Sequence, residues 1–253
     1  MREVVSVREH YEELLAAYYS RMFGDFEAKV AEQQALLGRL GLRAPAGEAT
    51  AVDLGCGSGF QSIALARLGF RVLAVDFSDR LLVELGERTR GLPVTAIAGD
   101  IREIARIARS GVELVVCMGD TLTHLEREED VGRLFGGVAA VLCRGGRFVL
   151  TFRDLSGARQ GLDRFLPVCA ADDLVMTCFL EYERATVKVH DLVWTRHPDG
   201  WRFRTSAYRK LRLGADSVIA RLTQTGFSVE RHAAPAGMVA LVGALGLPPT
   251  ALG

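Results

Sequence analysis

The stretch Val52 to Phe60, VDLGCGSGF, sets Gly55, Gly57 and Gly59 on alternate positions directly after an apolar run. Residues without a Cβ tolerate positive φ and let a ligand come close to the main chain. A strand, then glycines, then a helix places backbone N–H groups and a helix N-terminus at the carboxyl edge of a sheet, where open α/β folds take ligands. The next apolar run, VLAVDFS, carries Asp76 17 residues after Gly59, near the offset of roughly 20 residues at which an acidic side chain meets ribose hydroxyls. Loop and acid together imply a nucleoside; with no ligand, the glycines would serve a tight turn and Asp76 would cap the following helix. The spacing is G-x-G-x-G rather than G-x-G-x-x-G, and no Lys-Ser/Thr pair follows. That points away from a dinucleotide and from a triphosphate P-loop.

Such a loop needs a sheet to hold it. From Thr50 to about Leu155 the short apolar runs AVDL, RVLAVDF, PVTAIAG, VELVVCMG and GRFVLTF alternate with helical patterns. Parallel neighbours require long crossovers, so five strands separated by helices predict an α/β fold with a parallel, doubly wound sheet. Before this region, Leu14, Leu15, Tyr18, Tyr19, Met22 and Phe23 recur at helical spacing, and the pattern predicts helix from Tyr11 to Leu37 with an interruption at Gly24. After it the period becomes that of strands. VMTCFLEYE, TVKVHDLVWTR and WRFRTSAYRKLRL are long, and HPDG between the last two is a turn signal. In the third, Trp201, Phe203, Ala207, Leu211 and Leu213 share one face, while Arg202, Arg204, Tyr208, Lys210 and Arg212 share the other. The basic face reads as solvated sheet, or as a surface for an acidic substrate or partner. A helix from Ala215 to Thr225 and two further strands, FSVERHA and MVALVGAL, close the chain.

VDLGCGSGF, VLAVDFS and AGDI (Ala98 to Ile101), in that order, resemble the three motifs of class I S-adenosylmethionine-dependent methyltransferases. CMGDTLTHL, Cys117 to Leu125, is similar to the corresponding loop of the small-molecule, glycine N-methyltransferase-like branch. The resemblance implies a Rossmann-like, doubly wound, seven-stranded, mostly parallel sheet ending in an antiparallel hairpin, with an antiparallel β insertion after the fifth strand. The implied domains are an N-terminal helical cap (1–48), a cofactor-binding domain (49–155 and 214–253) and the insertion (156–213), a lid or a subunit contact. It implies S-adenosylmethionine as cofactor and S-adenosylhomocysteine as product. Gly55 and Gly57 would face the methionine portion, Asp76 the ribose, Phe77 and Ile101 the two sides of adenine, and Asp100 its amino group. Asp53, Cys56, Gly59, Ser78 and Gly99 complete the implied contacts on that side; Met118, Gly119, Asp120 and Tyr19 complete them near the sulfonium. His124 would accept a substrate proton, with its ordinary pKa suited to neutrality, or else cap the helix that starts near Glu126; Arg153 would contact the substrate. Methyl transfer from a sulfonium is an in-line displacement that chiefly needs alignment in a dry pocket, so a dedicated base is optional. Tyr19 and His124 are the catalytic candidates.

The 253 residues, about half of them apolar, suffice for a sizeable core, and equal numbers of acidic and basic residues leave no net field to draw a polyanion. Nucleic acid and membrane are not expected as partners; a small-molecule methyl acceptor is, with a possible homodimer through the insertion. Five cysteines without C-x-x-C spacing read as buried thiols in a reducing cytoplasm, and the charged N-terminus lacks the apolar core of an export signal. The histidines and acids around His190 and His197 show no metal spacing. Two other functions remain open from sequence: a catalytically silent cofactor-binding sensor or scaffold, and a protein or RNA methyltransferase.

Overall fold

The computed structural model describes residues 4–246; the outermost residues of the expected cap and cofactor-binding domain, 1–3 and 247–253, lie outside them. Strands β1 (Thr50–Leu54), β2 (Arg71–Asp76), β3 (Val94–Ala98), β4 (Val112–Cys117) and β5 (Leu142–Phe152) run parallel, and β10 (Phe227–Ala233) and β11 (Val239–Leu245) add an antiparallel hairpin. The order is β10-β11-β5-β4-β1-β2-β3. The order reverses at β1, between β4 and β2, and this is where the glycine loop emerges.

Helices cover both faces. On one, Val131, Leu134, Phe135 and Val138 of α6 (Glu128–Val141) and Val218 and Leu222 of α7 (Ala215–Gln224) pack on Val115, Phe148 and Leu150. On the other, Val30, Leu36 and Leu37 of α2 (Phe26–Arg39) and Ile63 and Leu65 of α3 (Phe60–Arg67) join Leu85 of α4 (Asp79–Arg88) over Ala51, Val72 and Val149. The short α5 (Ile104–Ile107) contributes Ile104 to the first face.

Between β5 and α7 stands a second, four-stranded antiparallel sheet of β6 (Phe165–Ala171), β7 (Leu174–Tyr182), β8 (Thr186–His197) and β9 (Gly200–Leu211). The predicted fold class is the observed one. β6, which carries Pro167, was not legible in the sequence; it is an edge strand, where a missing N–H is tolerated. The two chain passages leading into and out of this sheet are joined: Leu155 N–H donates to Leu213 O, Asp154 accepts the N–H of Ala215, and Arg212 donates to the carbonyls of Leu155 and Ser156.

Two expectations are corrected. The N-terminal helical run is α1 (Val7–Glu13), two single 3-10 turns (Leu15–Ala17 and Ser20–Phe23) and then α2. Leu14 leaves helical geometry at φ −131°, ψ −63°. Leu14 and Leu15 pack on Leu174, Met176 and Val193 of the insertion, while Tyr19 also packs on the β1–α3 side; one straight helix cannot serve both partners. The basic face of β9 is not solvated along its length either. Tyr208 and Lys210 are buried, 3% and 9% exposed, while Trp201 and Phe203 on the opposite face are half exposed.

Candidate active site at the carboxyl edge of the sheet

The glycine loop turns out of β1 with φ of +73° at Gly55 and +52° at Gly57, a region that costs other residues strain. A Cβ on Gly57 would lie 2.8 Å from the Tyr19 ring, and one on Gly55 2.3 Å from Thr121. Gly59 serves another purpose: with φ +103° it starts α3, and a Cβ there would strike Leu85 at 2.4 Å. Its bareness lets α4 pack closely. Asp76, at the tip of β2, accepts N–H bonds from Gly57 (2.9 Å) and Ser78 (2.9 Å). Burial raises its pKa and these bonds oppose the rise. The carboxylate therefore both holds the loop and starts the following helix.

Beside this corner lies a cavity of about 170 Å3, lined by Gly55, Gly57, Asp76, Phe77, Asp100, Ile101 and Tyr19 from the predicted set. Asp100 also accepts a bidentate pair of bonds from Arg102, which reaches on to Asp130. Apolar walls at Phe77 and Ile101, two carboxylates and a bare glycine edge fit a nucleoside with an amino-acid tail. Tyr19 lines this cavity and a second, of about 70 Å3, whose walls include Met118, Gly119 and Thr151. Asp53, Cys56 and Ser78 are buried behind the loop. Asp53 accepts the Ser62 hydroxyl at 2.6 Å, and burial pushes its pKa up to about 7 against that bond. Gly99 N–H donates to Asp76 O.

His124 ends a 3-10 turn, Thr121–His124, and lines the larger cavity. It does not cap α6, whose N-cap position, Arg127, has no side-chain cap bond. The residue is half-buried, and its Nε2 is buried with no hydrogen-bond partner. Tyr11 meets it edge-on at 5.8 Å and Tyr208 at 5.6 Å. Burial, with the Lys210 charge adding to it and Asp120 opposing, pushes its pKa down to about 3. The ring is neutral at physiological pH, rather than the neutral-range base that its ordinary pKa suggested.

Asp120 and Arg153 stand together outside the cavity lining. Asp120 is paired with both the Arg153 guanidinium and Lys210 Nζ, the latter at 2.9 Å, and accepts the Arg153 N–H. Burial would raise its pKa, but the two cations hold it well below the usual carboxylate range. Sequence reasoning missed Arg8, Tyr11 and Arg102 on the cavity wall and Tyr208 behind it. Tyr11 sits in the same helical stripe as Tyr18 and Tyr19, and that periodicity was the one signal available.

A family model described as a methyltransferase domain matches residues 51–146. Glycine/sarcosine N-methyltransferase of Aphanothece halophytica is 31% identical over 105 residues, 41% of this chain and 40% of that protein. Cypemycin N-terminal methyltransferase of a Streptomyces species is 35% identical over 105 residues, 42% of each. The chain thus spans about two fifths of the length of these curated relatives. Among solved structures, Streptomyces venezuelae DesVI superposes with a TM-score of 0.73 over 96% of this chain and 100% of its own, at 18% identity. The motif order and the sheet order agree with the match of residues 51–146 to a methyltransferase domain.

Proposed function

We propose that this protein transfers the methyl group of S-adenosylmethionine to an amine nitrogen of a small-molecule acceptor. The observation that carries the reading is one cavity bounded by the bare glycine edge, Asp76 and a neutral histidine whose buried Nε2 has no partner. The name of the glycine/sarcosine N-methyltransferase relative supports nitrogen as the methylated element. When bound, S-adenosylmethionine supplies an electrophilic methyl and leaves as a neutral thioether. The chain's part is to orient and to exclude water. Asp76 holds hydroxyls, Phe77 and Ile101 sandwich a flat base, and Gly57 with Tyr19 shapes the space between the two cavities. His124 Nε2 accepts a hydrogen bond from the acceptor's N–H and aims its lone pair away from the ring. Arg153 and Asp120, beside Lys210, set the charge next to that position. We also assign the exposed face of the insertion sheet to a second copy of this chain.

Release of S-adenosylhomocysteine with a panel of primary and secondary amines tests the activity. Turnover with low-molecular-mass amines is the expected result. Cofactor binding with no turnover on any fraction of a cell extract would make the protein a sensor, and product confined to macromolecules would remove the small-molecule acceptor. Because His124 stays neutral down to about pH 3, the pH dependence of kcat/KM from about pH 5 to 8 should follow the amine's own pKa. A bend that disappears in His124→Gln would assign the proton to the histidine instead.

A further inference from the structure

α1 has only seven residues, too few to be a stable helix by itself. Ser6 and Glu9 close a capping box at its start, but its place on the molecule must come from tertiary contacts. The only residue it buries is a polar one. His10 is 0% exposed, its Nε2 donates to Asp191 Oδ2 at 2.8 Å, and Asp191 on β8 is itself 3% exposed. The partners are separated by 181 positions. Cys178 Sγ donates to the other oxygen of Asp191 at 2.7 Å, and Tyr208 stacks on the His10 ring at 4.2 Å. The same Tyr208 ring meets His124 edge-on. One position along α1, Tyr11 spans the gap between His124 and Phe77, 5.8 Å and 5.5 Å away. The remaining hydrogen bonds of the helix to other elements are at its ends, where Arg8 donates to Phe77 O at 2.8 Å and Arg204 donates to Glu13 O; Val5, just before it, donates to Ala207 O, and Val7 and Tyr11 are partly buried against apolar side chains of the insertion.

We infer that the His10–Asp191 bond is a latch that fixes α1 on the insertion sheet, and that His10 is a positioning residue which sets Tyr11 and Tyr208 around His124 in the acceptor pocket. An apolar stripe would let a short helix slide or roll; one directional bond between two buried groups resists this, because any other placement leaves Oδ2 of a buried acid without its donor. The insertion thereby contributes to a pocket whose cofactor half belongs to the other sheet. This inference rests on the methyl-transfer reading for what the pocket does, but not for whether the latch exists.

The test uses the full chain and three variants. His10→Phe keeps a ring on Tyr208 and drops the donor; His10→Gln keeps a donor; His10→Phe with Asp191→Val also removes the stranded acid, and decides the matter if the single variant does not fold. Amide hydrogen exchange over residues 7–13 needs no acceptor. It should speed up at least tenfold in His10→Phe and in the double variant, and return to within threefold of the parent in His10→Gln. With an amine acceptor, kcat should fall tenfold or more in the first two, while the Kd for S-adenosylhomocysteine changes less than fivefold. Unaltered exchange in both donor-less variants, or no recovery in His10→Gln, overturns the latch. A latch seen by exchange in a protein that methylates no amine would leave it standing and remove the acceptor reading instead.

Discussion

Both oxygens of Asp76 accept main-chain N–H groups, yet a carboxylate has about four lone-pair directions, so room remains for two ribose hydroxyls. Hydrogen bonds to a charged acceptor are worth roughly 1.5–3 kcal/mol. Asp76→Ala should therefore weaken S-adenosylhomocysteine binding more than tenfold by calorimetry, and an unchanged Kd would take the ribose away from this residue. Asp53 gives a prediction of a different kind. Its pKa in the fold, about 7, lies above the unfolded value of 3.8 because the group is buried. The folded state thus holds the proton more tightly. That contribution to stability is complete below about pH 4 and is lost as the pH rises through 7. Asp53→Asn has no such proton, so the parent's melting temperature should fall relative to the variant's between about pH 5 and 8. At this scale the glycines, Asp76, Phe77 and Ile101 were legible because strand, turn and acid lie within a few dozen residues and each choice has a local backbone reason. His10, Tyr208 and Lys210 were not, since their partners Asp191, His124 and Asp120 are distant in sequence and nothing in the local pattern distinguishes them.

Among the elements, the β1–α3 turn is the most constrained. Gly57→Val would place a branched side chain at φ +52° and against the Tyr19 ring; binding of S-adenosylhomocysteine should be lost while circular dichroism still reports a folded protein. Adding Tyr19→Ala should not restore binding, because the clash goes but the backbone strain remains. The five parallel strands were readable from their apolar runs. The break after α1 was not, because a helical spacing of apolar residues reports that they are buried but not that two different surfaces bury them. For β9 the alternation was read correctly, but its inward face was not: Lys210 faces inward because Asp120 is there to meet it.

For the molecule as a whole, the outward side of the insertion sheet is the surface most in need of a partner. Trp194 packs on Phe203 with ring centres 4.9 Å apart and Phe165 on Phe179 with ring centres 4.7 Å apart, both pairs tilted, with Trp201 and Phe165 also half exposed on this side. At its border Glu183 pairs with Arg209; a border holding both signs can meet its own copy across a two-fold axis with opposite charges opposed. Trp201→Ser with Phe203→Ser should convert a sedimenting dimer to monomer, and a parent that sediments as a monomer at tens of micromolar would remove the second copy. No helix among the described residues is long and apolar enough to cross a membrane.

The joined passages at Leu155 and Leu213 have a consequence for how such a chain can change. Because the four-stranded sheet leaves and rejoins the main body through two adjacent chain passages tied by Asp154 and Arg212, a change in its length or its distal turns need not shift the register of β5 or β11, provided that Lys210 and Tyr208 still meet Asp120 and His124. Acceptor choice and cofactor grip are therefore free to diverge at different rates, with His10 and its neighbours as the seam where an altered sheet would have to be refitted.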